Sequence, residues 1–188
     1  MDQTNWLEIA YWISQIILTV IAFVAAIAAW NQLTQAENAR LAQLRAMNAT
    51  LLMELDNRWD SAEMREARRI CFEWTQKINE TISGKQFADQ QQRSVAISDE
   101  WTKLLRDCRI RDMKEYGKLM GMCGFFETVG LMVKKDYIAA SDVIDLLKGP
   151  MLAVEMWFGG HIAEREKEMG VANGLYENAL NLVKLAKA

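Results

Sequence analysis

From Ile9 to Trp30 the chain reads IAYWISQIILTVIAFVAAIAAW, and only Ser14, Gln15 and Thr19 in that run are polar. No residue between Glu8 and Glu37 is charged. A bilayer core takes about 20 apolar residues at helical rise, so the run is long enough to cross one. Trp6, Tyr11 and Trp12 stand at one end and Trp30 at the other, where amphipathic rings settle among lipid headgroups. The pattern predicts a transmembrane helix over residues 9–30, preceded by a short tail, residues 1–8.

The periodicity does not stop at Trp30. Leu33, Leu41, Leu44, Leu51 and Leu55 recur at helical spacings through a stretch rich in Ala, Gln, Glu and Arg. This predicts that the same helix continues as a stalk over residues 31–58, either self-paired or packed on the domain that follows. At 1.5 Å per residue a helix from Asn5 to Trp59 would reach about 80 Å.

Residues 59–188 read as a helical bundle of about five helices. Asp60 and Glu63 form an Asp-x-x-Glu capping box that opens a helix from about Ser61 to Ile82, which Gly84 can end. A polar loop follows to Gln92, then a helix from about Arg93 to Asp112 with Val95, Trp101, Leu104, Leu105 and Cys108 on its apolar side. The next, from about Lys114 to Val133, has Glu127 as its only charge after Lys118 and is too short to span a bilayer, so it is read as the central core helix. Ser141 can cap a short helix carrying Val143, Ile144, Leu146 and Leu147. Gly149 and Pro150 are read as opening another, to about Met169, because proline suits a first helical turn. A last helix is expected from about Ala172 to Lys187. No stretch alternates as a strand would, and no repeat is visible. The fold expected is all-α: one N-terminal transmembrane helix, a stalk and a cytoplasmic bundle.

Charge supplies the orientation. All 22 Lys and Arg lie at or after Arg40, so the flank before the apolar run has none. Basic flanks stay in the cytoplasm, which puts the N-terminus outside and the bundle inside. A cleaved signal peptide would want a basic start; here the first eight residues carry Asp2 and Glu8 instead, although Ala26 to Ala28 has the Ala-x-Ala form. The three cysteines, Cys71, Cys108 and Cys123, have no CxxC spacing and fit a reducing compartment. A net charge of −3 gives no reason to expect nucleic acid as a partner. In a bacterium the expected place is the inner membrane, single-pass, with the lipid bilayer as the first partner.

One stripe of the anchor reads Glu8, Trp12, Gln15, Thr19, Ala22, Ala26, Ala29, Leu33. The large side chains Ile16, Ile17, Val20, Phe23, Val24 and Ile27 lie mostly off it. Small residues let helix backbones approach in lipid, and a glutamine can hydrogen-bond across the contact. Gln15, Thr19, Ala22, Ala26, Ala29 and Leu33 are therefore the expected face of a homo-oligomer.

Two blocks carry a family resemblance. The first is Asn57-Arg58-Trp59-Asp60-Ser61-Ala62-Glu63-Met64-Arg65 followed by Ala67-Arg68-Arg69. The second is Phe125-Phe126-Glu127-Thr128-Val129-Gly130 with Ile138 and Val143-Ile144 after it. Together they resemble a bacterial family of small membrane-anchored helical proteins classed as a domain of unknown function. The resemblance implies the architecture and brings no activity with it.

His161 and Glu164 are three apart on one helix face, but His161 is the only histidine. A diiron bundle, a zinc site or a Ser-His-Asp triad cannot be assembled from it, so no metal, no cofactor and no enzyme activity is expected. Gly117, Gly121 and Gly124 share one helix face and are read as permitting close helix packing rather than phosphate binding. Glu127 and Glu155 are the central carboxylates of otherwise apolar helices, and a buried carboxylate needs a partner. Arg65, Arg68 and Arg69 are the expected partners, with Arg165 and His161 next, in a buried polar network that either registers the helices or senses a small ligand. The expected function is a membrane-tethered interaction or regulatory module that self-associates and presents its bundle to a cytoplasmic protein partner. The alternative is an oligomeric membrane effector, a pore or leak gated by the bundle.

Overall fold

The computed structural model describes residues 3–170 and 174–187, with side chains from residue 8 onward. The expected tail falls partly outside the described residues, as do the Trp6 side chain and the expected helix start at Ala172. Among the described residues there are six helices and no strand: α1 (Gln3–Trp59), α2 (Ala62–Ser83), α3 (Gln90–Arg111), α4 (Met113–Lys134), α5 (Ala140–Met169) and α6 (Glu177–Lys187). The chain divides into two compact units, Met1–Met47 and Asn48–Ala188, so the second begins inside the stretch read as stalk.

In the first unit every residue from 8 to 47 is exposed, and the helix is long and apolar enough to cross a membrane. A soluble core helix of that composition would be buried, which this one is not. Its hydroxyls are turned back on its own backbone: Ser14 Oγ donates to the Tyr11 carbonyl at 2.7 Å and Thr19 Oγ1 to the Gln15 carbonyl at 2.8 Å. Such bonds let Ser and Thr sit in hydrocarbon at little cost. Among the described residues none reaches the Gln15 side-chain amide.

The second unit is built around α4, which packs on α2, α3, α5 and α6. Its nearly apolar sequence follows from that position, since a helix touched on every side has no solvent face to keep polar. Trp101, Phe125, Phe126 and Phe158 are fully buried in this core. The last turns of α1 belong to it too: Leu55 is buried, and the Trp59 ring lies 5.5 Å from Phe125 and 5.3 Å from Phe126.

Local chemistry sets most helix starts. Asp89 accepts from the Gln92 N–H at 2.7 Å to begin α3, and Asp112 accepts from Lys114 and Glu115 to begin α4. At α2 the cap is Ser61, whose hydroxyl accepts from Met64 N–H, and not the expected Asp60 with Glu63. Asp60 is instead spent on Arg68, 3.0 Å away.

Three expectations are corrected by packing. The two helices expected on either side of Pro150 are one, α5, with no side-chain cap at Ala139. Val143, Leu147, Met151, Val154 and Phe158 form an unbroken buried face through the proline. Pro150 forfeits only its own bond to the carbonyl of Leu146, an exposed residue where water can take over. The last helix begins at Glu177, since Tyr176 just before it has φ of 56°, in the left-handed region. Finally, a Cβ at Gly117, Gly121 or Gly124 would meet nothing within 4 Å, so these are not the close-packing glycines. Gly130 and Gly160 are: Cβ atoms there would stand 2.3 Å from the Asn178 carbonyl oxygen and 2.6 Å from both Ser98 Oγ and Thr102 Oγ1.

Candidate functional site

The expected buried network is not one site. Glu127 finds its partners on α6, where Asn178 Nδ2 donates to it at 2.6 Å and the Ala179 N–H at 3.0 Å. Its carboxylate thus caps the N-terminal turn of a neighbouring helix, the end at which negative charge is favoured. Glu155 pairs with Lys187 Nζ at 2.6 Å, at the other end of α6. The arginines go elsewhere. Arg68 donates to the Trp59 carbonyl at 2.6 Å and lies over the Trp59 ring, 4.6 Å from its centre. Arg69 pairs with Glu66 and Glu73 of its own helix, and Arg65 is exposed. Spacing puts the three arginines along α2, but Met64, Ala67, Ile70, Cys71, Ile78 and Ile82 are the residues that helix buries. The arginines are left to its flank and surface.

His161 is the one buried polar or charged side chain among the described residues, 1% exposed. α5 places it one turn before Glu164 and Arg165 and two turns before Glu168, so all four can face one neighbour. α4 contributes Tyr116, whose hydroxyl is 3.0 Å from His161 Nε2. His161 Nδ1 has no hydrogen-bond partner and lies 3.8 Å from Glu164 Oε2, itself buried and unpartnered. α3 closes the cluster: Arg106 pairs with the other Glu164 oxygen, and Arg109 with Glu168 at 3.3 Å, which also binds Arg165. Spacing alone pairs His161 with Glu164. It does not reach Tyr116, Arg106 or Arg109, because nothing in a linear sequence says which turn of α3 or α4 will meet α5.

Burial pushes the His161 pKa below its ordinary value of 6.5, with Arg109 and Arg165 acting the same way and Glu164 opposing them. The ring is neutral in the fold at neutral pH. The unfolded chain takes up a proton as pH falls through 6.5 while the fold resists it, so stability is lost on acidification. The melting temperature of the full chain should fall between about pH 7.5 and 5.5, and His161→Gln should remove most of that fall. Equal slopes in the two proteins would exclude His161 from the pH response.

Next to this cluster is a cavity of about 140 Å³, lined by Tyr116, Met120, His161, Ile162, Arg165, Met169, Leu175 and Tyr176. The cysteines offer no thiolate chemistry nearby, since burial holds Cys71 up to about 12 and Cys108 up to about 11, and raises Cys123 as well. Among the described residues no group of three His, Cys, Asp or Glu side chains is arranged to hold a metal ion.

Residues 18–185 match a family described as a domain of unknown function, DUF4760, and the chain belongs to that family. No curated protein and no solved structure matches it.

Proposed function

We propose that this member of the DUF4760 family is a membrane-tethered interaction or regulatory module. Its α1 anchors the chain in a bacterial inner membrane with the N-terminus outside, and the bundle is presented in the cytoplasm to a protein partner. Copies associate through Gln15, Thr19, Ala22, Ala26, Ala29 and Leu33.

The observation that carries this reading is the first unit's surface. Residues 8–47 are exposed all round, and the Gln15 amide lacks a hydrogen-bond partner among the described residues. Lipid satisfies Ile, Val and Phe but not an amide, which gains about 1 kcal/mol by pairing with another helix. The alanine stripe beside it supplies the close approach. The effector reading has less support, because the Thr19 hydroxyl commits its proton to the Gln15 carbonyl and keeps only acceptor lone pairs for a water-filled pore.

Native mass spectrometry of the full chain in lipid tests the proposal. Wild type should appear as an oligomer, and Ala22→Leu combined with Ala26→Leu should shift most of it to monomer by holding the backbones apart. An unchanged mass distribution would sink the proposed face. A ring of five or more copies with dye leakage from vesicles would turn the reading toward the effector.

A further inference from the structure

At the cavity beside His161, size, wall chemistry and polar groups unpaired among the described residues point to the same kind of occupant. Its volume of about 140 Å³ is close to that of an engineered cavity of about 150 Å³ that holds benzene. Met120, Ile162, Met169 and Leu175 make its apolar wall. Among the described residues no carboxylate lines it, and the one charged lining side chain is Arg165.

The polar groups there are chiefly donors. Arg165 commits Nη1 to Glu168, while the contact of Nη2 is the weakly accepting sulfur of Met169 at 3.8 Å. The Tyr176 hydroxyl makes no hydrogen bond among the described residues, and burial first, with Cys123, Tyr116 and the Glu127 carboxylate acting the same way, keeps it protonated, its pKa pushed up to about 12. Tyr176 also has φ of 56°, a conformation that is costly for a bulky residue and found where the surroundings enforce it. His161, 1% exposed, supplies part of the wall with Nδ1 unpartnered.

We infer that this pocket binds a small monocarboxylate whose apolar body is about the size of a benzene ring. The carboxylate takes the free donors of Arg165 and Tyr176, and the body fills the space against Met120, Ile162 and Leu175. A phosphate fits poorly, because a second negative charge would face a single arginine and four apolar side chains. The inference is independent of the proposed oligomer, since every residue it uses lies in the second unit of one chain.

The single histidine makes the test direct. The full chain, labelled at histidine and held in lipid nanodiscs at constant pH and ionic strength, is titrated with sodium benzoate while the His161 ring resonances are followed. Benzamide, of the same shape without the charge, is titrated in parallel. The expected result is a saturable shift with benzoate at millimolar concentration or below, at least tenfold weaker with benzamide, and at least tenfold weaker for benzoate in Arg165→Gln. No saturable shift with benzoate, or equal affinity for benzamide, would overturn the inference. If Arg165→Gln fails to fold, the comparison of the two probes on wild type decides alone.

Discussion

Gly130→Ala should destabilise the bundle by about 3 kcal/mol, the upper part of the range for overpacking a tight contact. A fall of roughly 10 °C in melting temperature is expected for a domain of this size. The added methyl would stand 2.3 Å from the carbonyl oxygen of Asn178 and 2.5 Å from its carbon. Those are backbone atoms in the first turn of α6, so no rotamer change can make room. α4 and α6 must separate by roughly 1 Å to restore a van der Waals contact. That movement would also pull Asn178 and Ala179 away from Glu127. Near-ultraviolet circular dichroism of the full chain in detergent would read the packed Trp59 and Trp101 directly. Gly124→Ala on the same helix is the control: its Cβ meets nothing within 4 Å, and replacing a helical glycine should gain about 0.5–1 kcal/mol. If both variants melt with wild type, the α4–α6 seam is not as close as described.

Glu127→Ala should cost about 2–3 kcal/mol, because it strands two donors that a carboxylate now holds. Asn178 Nδ2 and the Ala179 N–H would lose acceptors at 2.6 and 3.0 Å, at the helix end where a negative charge also steadies the dipole. Glu127→Gln keeps one acceptor oxygen but turns an amide toward Asn178, and about half the loss is expected. Hydrogen exchange should quicken first at Leu182 and Val183, the buried face of α6, before the rest of the bundle responds. The cycle with Asn178→Ala should show coupling, whereas Arg65→Ala, at an exposed position, should be close to neutral and additive with Glu127→Ala. Equal effects of Glu127→Ala and Arg65→Ala would restore the arginine network in place of the α6 cap.

Both predictions concern a seam that the sequence only half disclosed. The sequence marked Glu127 as a charge in need of a partner, because one carboxylate in a long apolar helix is conspicuous. It pointed to the wrong partner, since the arginines of α2 are the nearest cations in kind but not in space. Glycine spacing misled in the same way. Gly117, Gly121 and Gly124 share a helix face, yet what makes a glycine necessary is another backbone crossing at that turn. That happens at Gly130, against the backbone of Asn178, whereas Gly160 makes room for the Ser98 and Thr102 hydroxyls.

His161 shows the same division. Its spacing from Glu164 is a property of one helix and was legible. Its burial, its contact with Tyr116 and the cavity beside it required three helices to be docked. At Pro150 the local rule favoured a helix start, and the continuous buried face from Val143 to Phe158 overrode it.

What is legible along one dimension is an apolar run from Ile9 to Trp30, helical periodicity after it, an all-α fold and a charge asymmetry about the run. Hydrophobic length and helical period are set by neighbours in the chain, so they need no fold to be seen. Which carboxylate holds α6, which glycine is indispensable and where a pocket opens follow from the docking of the helices. Those depend on the rotation and register of one helix against another, which the packing of whole side-chain faces fixes and no local spacing encodes.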